Sequence, residues 1–259
     1  MAQMGYGYGS EFQLLRFLGH HRNFLETEIC KQAEIKKGTF NWLDFGFANR
    51  ERIISGDKEY CGLSFLESIP FIEEVVAKNI IANYTNYKIK NISTWQYWDA
   101  VFTLDKTIYL VEAKAHVDEL LTPIDRRDKR KSNDAILNYM KDNLPNLPVS
   151  DIWLNDYYQI ANRLATTAFL QKQLKSEGAS AKTLCIFFTN GFSKPVLGER
   201  NKIIEMDNTD NPTSICDFEK AINKEMDTLG ITEEQVASLL TKPVFIDANP
   251  LKRGKTNKK

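Results

Sequence analysis

The chain has 259 residues, of which 42% are hydrophobic and 26% charged, which suits a soluble globular protein with a sizeable core in one large or two small domains. Lys and Arg total 34 and Asp and Glu total 34, so no global field favours nucleic acid and any such binding must come from local patches. His20, His21 and His116 are too few and scattered for a histidine-built metal site; Cys30, Cys61, Cys185 and Cys216 lack C-x-x-C spacing, which argues against structural zinc and for free thiols in a reducing compartment. The opening M-A-Q-M-G-Y-G-Y-G-S-E lacks the apolar run of a signal peptide. No stretch approaches the roughly 18 apolar residues of a membrane span. A cytoplasmic protein with no membrane partner is expected.

Ser10 can cap a helix that begins with Glu11, and Phe12, Leu15, Phe17, Leu18, Phe24, Leu25 and Ile29 recur at helical spacing over 10–34. The aromatic stretch G-T-F-N-W-L-D-F-G-F-A-N reads as a packed connection. Asp57 opens a second helical region to about Asn83, in which Pro70 starts a new helix. Residues 87–92 alternate weakly and read as a strand. Two apolar runs around Asp105-Lys106 then predict a β-hairpin. Residues 125–132, D-R-R-D-K-R-K-S, form a basic run; residues 134–141 read as helix and 143–148 as loop. The strongest helix is predicted over 152–174, followed by a buried strand at 183–189. Thr232 caps a late helix, and the K-R-G-K-T-N-K-K end is a basic tail expected to be disordered. The expected organisation is one domain over 1–251, with a helical part at 10–83, a core at 85–190, an extension at 191–251, and the tail at 252–259.

The hairpin raises a chemical question. A two-residue turn at Asp105-Lys106 pairs Leu104 with Thr107 and, walking outward, Ala100 with Val111 and Asp99 with Glu112. Two carboxylates then stand opposite each other, and Lys114 shares the face of Glu112. Opposed like charges destabilise a strand pair, whereas a hard divalent cation between them resolves the conflict. Lys114 would then orient or deprotonate water, or stabilise charge on a phosphate. Spacing alone leaves a second reading open, in which a strand end carries an ion pair into solvent. Apolar residues on both faces of the hairpin favour a central position for its strands. Gln159, Asn162, Arg163 and Thr166 form a polar stripe on the later helix, which is either solvated or turned toward the charges.

W-D-A-V followed by L-V-E-A-K-A-H-V-D-E-L, together with G-S-E-F-Q-L-L-R-F-L-G-H-H-R and Y-Y-Q-I-A-N-R-L, resembles the PD-(D/E)XK nuclease superfamily, and more closely an uncharacterised bacterial group assigned to it. The resemblance covers most of residues 5–190. Trp98 stands where a Pro often precedes the Asp. The resemblance implies Asp99 and Glu112 as ligands of Mg²⁺ or Mn²⁺, Lys114 as the catalytic lysine and Gln159 as the polar helix position. It also implies an acidic residue from an early helix: Glu11 by its place in the G-S-E block, with Glu67, Glu73 and Glu74 as rivals. Asn162 and Arg163 would reach a phosphate. Arg126, Arg127, Lys129 and Arg130 in the basic run would hold the backbone nonspecifically, or form a solvated loop. His116 alternates onto the same face, but a packed or solvent-exposed imidazole is the role expected of it, and Glu119 has no assigned chemistry.

The implied fold is α/β with a restriction-endonuclease-like core, a mixed central sheet of about four or five strands flanked by helices. The implied function is metal-dependent hydrolysis of DNA, with RNA as another possible substrate and a homodimer needed if both strands are cut. A binding module of the same fold without catalysis is the competing reading. A carboxylate-pair glycosidase is disfavoured, because neighbouring strand positions put both carboxylates on one side of the substrate rather than flanking a sugar bond.

Overall fold

Buried residues run almost unbroken along Thr107–Lys114, which makes this strand the spine of the molecule. The computed structural model describes residues 9–43, 60–87, 97–122, 130–189, 194–197, 203–207 and 213–248. Its strands are β1 (Asn41–Trp42), β2 (Tyr60–Cys61), β3 (Tyr97–Trp98), β4 (Ala100–Leu104), β5 (Thr107–Lys114), β6 (Ser180–Thr189), β7 (Lys194–Leu197), β8 (Ile203–Asp207) and β9 (Val244–Asp247). Its α-helices are α1 (Ser10–His20), α2 (Arg22–Gln32), α3 (Glu74–Tyr87), α4 (Arg130–Asn143), α5 (Tyr158–Leu174), α6 (Ile215–Leu229) and α7 (Glu233–Val236).

The central sheet has five strands in the order β1-β4-β5-β6-β9. β4 is antiparallel to β5, while β6 and β9 run parallel to it, so the sheet is mixed. The hairpin has the expected register, from Leu104↔Thr107 to Ala100↔Val111. Its turn places Asp105 at φ 52, the left-handed conformation that a tight two-residue hairpin needs. Side-chain alternation divides the core. Phe102, Tyr109, Val111, Leu184, Ile186 and Val244 meet α1 and α2 on one face. Val101, Ile108, Leu110 and Ala181 meet α3, α4 and α5 on the other. The architecture is α/β, a mixed sheet between two helical layers.

Several boundaries differ from expectation. The helix expected over 10–34 is two helices, broken at His21, whose φ −133 and ψ 29 leave the helical region. Arg22 Nε donates to Leu18 O, which satisfies a carbonyl freed by the break. Asp57 lies outside the described residues, and Pro70 precedes rather than starts a helix: a 3₁₀ turn occupies Ser64–Ser68 and α3 begins at Glu74. Tyr87 ends α3 instead of opening a strand, and 88–92 lie outside the described residues. α4 is longer than expected, and α5 starts at Tyr158 after a separate 3₁₀ turn at Asp151–Leu154. There buried Trp153 donates from its indole to Leu229 O, which ties that turn to α6 and ends any continuous helix.

The stretch read as an aromatic connection contributes β1 at the sheet margin, with Trp42 opposite Phe102. The segment beyond 190 is more than an extension: β9 pairs in parallel with β6, and α6 sends Phe218 against Phe187 and Phe245. The tail at 252–259 lies outside the described residues. Among the described side chains Cys30, Cys185 and Cys216 are free thiols, as expected. No helix among the described residues is long and apolar enough to cross a membrane.

Candidate active site

β5 changes character along one face. Ile108 and Leu110 are apolar and fully buried, then Glu112 and Lys114 follow on the same side at the strand's C-terminal end. Crevices outside the carboxyl ends of parallel strands are where α/β sheets commonly bind ligands. α5 is fastened over this end from its first turn. Thr122 N donates to Asp156 O at 2.6 Å and Gln159 N donates to Thr122 Oγ1 at 3.1 Å. Two turns further on, Thr167 and Thr183 share a buried hydrogen bond of 2.7 Å, which helps set the helix's rotation over β6.

That rotation turns the polar stripe of α5 inward. Gln159 Nε2 donates to Glu112 Oε1 at 2.7 Å, and Lys114 Nζ donates at 2.7 Å both to Glu112 Oε1 and to Gln159 Oε1. Arg163 donates from Nε to Glu112 Oε2 at 2.9 Å and pairs through Nη2 with the same oxygen, also at 2.9 Å. Glu112 is only 5% exposed, yet each of its oxygens has two nitrogen partners. Burial works to raise its pKa, but Arg163 and Lys114 outweigh it and hold the carboxyl below the ordinary value. Burial likewise works against the charge on Lys114, and Glu112 and Asp99 more than offset it, so its pKa is raised. Both groups are charged at neutral pH.

Asp99 sits at a bend between β3 and β4, and the paired register stops at Ala100↔Val111, so the direct opposition of Asp99 and Glu112 does not form. Instead Asp99 N donates to Val111 O at 3.1 Å and its Oδ2 accepts from Ala113 N at 2.6 Å. The carboxylate thus takes an N–H that a regular ladder would give to a strand carbonyl, and fixes the bend beside Glu112 and Lys114. Its charge acts on Lys114 and on Arg163. Trp98, in the place of the expected Pro, is fully buried; its indole donates to Gly62 O at 2.9 Å. The Arg163 guanidinium lies over its ring, 4.5 Å from the centroid.

Arg163 therefore departs from the expected phosphate contact. It is 5% exposed, bridges Glu112 to Tyr97 O at 2.6 Å, and is committed to holding the bend against β5. Asn162 donates to Tyr158 Oη at 3.1 Å within α5. Arg126, Arg127 and Lys129 lie outside the described residues, and Arg130 is described only as the first residue of α4. Glu11 is the second residue of α1; Gly9 takes the N-cap position expected for Ser10, which is the helix's first residue and instead hydrogen-bonds Glu119 at this end of the sheet. The rivals of Glu11 are displaced: Glu67, Glu73 and Glu74 are exposed, and Glu74 pairs with Lys78. β5 ends before His116, whose Nδ1 accepts from Asp118 N at 3.2 Å and starts a 3₁₀ turn. Glu119 accepts from Ala115 N at 3.3 Å, and burial raises its pKa against the pull of Lys114.

Glu225 was not anticipated. Phe218, Ile222, Met226 and Leu229 set the inward stripe of α6, and Glu225 falls within it, 7% exposed. A carboxylate in an otherwise apolar stripe behind a Ser214–Asp217 capping box was the available signal. Burial pushes its carboxyl up to about 8, Lys114 partly opposes this, and Glu112 adds to it. A cavity of about 30 Å³, room for about one water, lies between Glu112, Lys114 and Gln159 on one side and Glu225 and Cys185 on the other. Burial drives the Cys185 thiol far above its ordinary value, which leaves it un-ionised and poorly suited to act as a nucleophile. Compared with family models, curated proteins and solved structures, the chain matches none.

Proposed function

We propose that the chain is a divalent-metal-dependent nuclease of the PD-(D/E)XK type, which hydrolyses phosphodiester bonds of DNA at the C-terminal mouth of β5. The observation that carries this reading is the setting of Lys114, a charged amine held 2.7 Å from both Glu112 and Gln159, with Asp99 acting on it from the adjoining bend. The donor chemistry suits Mg²⁺ or Mn²⁺. Asp99 and Glu112 offer only carboxylate oxygens, and such ions take one or two carboxylates and complete their shell with water and phosphate oxygen. Glu112 would hold the ion through Oε1 only by giving up its contacts from Lys114 and Gln159, while Oε2 stays with Arg163. When bound, the ion lowers the pKa of water and offsets charge on the phosphate.

The chain's own residues do the rest. Lys114 is positioned to orient the attacking water and to stabilise negative charge developing on the phosphate. Gln159 keeps the amine aimed by accepting from it while donating to Glu112. Arg163 positions both strands, since it grips Glu112 and Tyr97 together. The test is incubation with plasmid, linear and single-stranded DNA, with Mg²⁺ or Mn²⁺ and with EDTA. Metal-dependent cleavage by the wild type, lost in Asp99→Asn, supports the reading; equal products from both would remove it.

One observation favours a second reading, a DNA-binding module without catalysis. Two carboxylates, Asp99 and Glu112, face two cations, Lys114 and Arg163, so the cluster is neutral without any metal. DNA retention in EDTA, with no cleavage under any metal, would favour it.

A further inference from the structure

Tyr97 opens β3 with 41% of its surface exposed, next to a Trp98 that is fully buried. Exposure goes on alternating, with Asp99 half-buried and Ala100 buried again, so Tyr97 and Asp99 take the two outer positions of this short stretch. Roughly 6.5 Å of extended chain separates them. The backbone of Tyr97 is fixed from both sides. Its strand pairs with β2, where Cys61 is its partner, and its carbonyl accepts from Arg163 Nη2 at 2.6 Å. That same nitrogen lies 2.9 Å from Glu112 Oε2. An exposed aromatic side chain is therefore anchored beside both Asp99 and Glu112. Phe24, the other exposed aromatic among the described side chains, lies on α2, in the helical layer across the sheet from Glu112.

We infer that Tyr97 is a stacking platform for a nucleobase flanking the phosphate that is cleaved, and that the substrate is DNA with unpaired bases at this point. The inference rests on the nuclease reading above and adds to it a substrate class and a contact to the base. Bases within a duplex are stacked on both faces by their neighbours, whereas an unpaired base can lay its face on an aromatic ring. A tyrosine on a paired strand suits this task, because a large ring with few rotatable bonds loses little freedom on contact. Arg163 is committed to Glu112, Tyr97 O and the Trp98 ring, so the contact offered here is to a base face rather than a base edge. Such a contact tolerates any sequence, since every base has a π-face.

The test is anisotropy titration of the full chain, in Ca²⁺ to hold off cleavage, against a fluorescein-labelled single-stranded oligonucleotide and the duplex of the same sequence. Wild type, Tyr97→Phe, Tyr97→Ala and Tyr97→Leu are compared, with thermal melts to check that each is folded. The inference expects Tyr97→Ala to raise the single-strand Kd about tenfold, Tyr97→Phe to stay near wild type because the ring is kept, and duplex binding to be unmoved by either. Unchanged single-strand affinity in Tyr97→Ala overturns the inference; so does equal weakening by Phe and Ala, or equal weakening toward single strand and duplex. In each of those cases metal-dependent cleavage by the wild type leaves the nuclease reading standing. A wild type that binds neither DNA and cleaves none overturns both. Should Tyr97→Ala not fold, Tyr97→Leu, which keeps apolar bulk without a ring, decides by the same criterion.

Discussion

Glu112 is held by three side chains from two elements, and this sets what single substitutions do. Removing Arg163 leaves a carboxylate buried with Lys114 as its remaining ionic partner, and strips Tyr97 O and the Trp98 ring of their contact. Breaking a buried pair from one side costs about 3–5 kcal/mol, so Arg163→Met should lower the urea midpoint by that equivalent at unchanged slope. Arg163→Lys should recover only part of the loss, because an ammonium cannot make the double contact to Oε2. A midpoint within about 0.5 kcal/mol of wild type would show that the pair does not hold the bend. The same residue marks where sequence reading stopped. Gln159 and Arg163 stand one helical turn apart, and that spacing is the same whether the stripe faces phosphate or a carboxylate on β5. Contacts between residues in different elements, Thr167 with Thr183 and Gln171 with Ala181 O, decide the rotation.

At the scale of elements, the hairpin was legible because its turn is two residues long and its strands are apolar on both faces. Register follows from those facts alone. The bend at Asp99 was not, since β3 leaves the hairpin to pair with β2, which is distant in sequence. α6 and β9 were missed for a related reason: four apolar positions in α6 are interrupted by Glu225, and the four residues of β9 are buried only because β6 lies beside them. Two substitutions probe elements directly. Asp105 at φ 52 tolerates Gly, whereas a β-branched residue resists that conformation, so Asp105→Val should cost about 1–2 kcal/mol and Asp105→Gly should not destabilise. Ser214 caps α6 in a reciprocal box with Asp217, and Ser214→Ala should cost about 1 kcal/mol in thermal or denaturant melts. Equal melts for Val and Gly at position 105 would contradict the turn geometry.

For the molecule as a whole, the buried carboxylates shape stability against pH in opposite senses. Glu225 keeps its proton to about pH 8 when folded but releases it near the ordinary value of 4.5 when unfolded. The stability it contributes is present in acid and lost as pH rises through the folded value; Glu119, also raised, adds to that slope. Glu112, lowered, contributes stability that is present above its unfolded pKa and lost as pH falls through its folded one. Metal-free melting temperature should therefore decline from about pH 5 toward about pH 8, and Glu225→Gln should flatten part of that decline. An identical slope in the variant would place Glu225 elsewhere than in the core. The central claim is that Lys114 serves phosphodiester chemistry rather than only pairing with Glu112. The most direct measurement is the single-turnover rate of DNA cleavage at saturating Mg²⁺ for wild type and Lys114→Ala, with Mn²⁺ affinity measured on the same preparations. The account predicts a rate loss of about 10²–10⁴-fold with metal binding retained; cleavage by Lys114→Ala at the wild-type rate would contradict it.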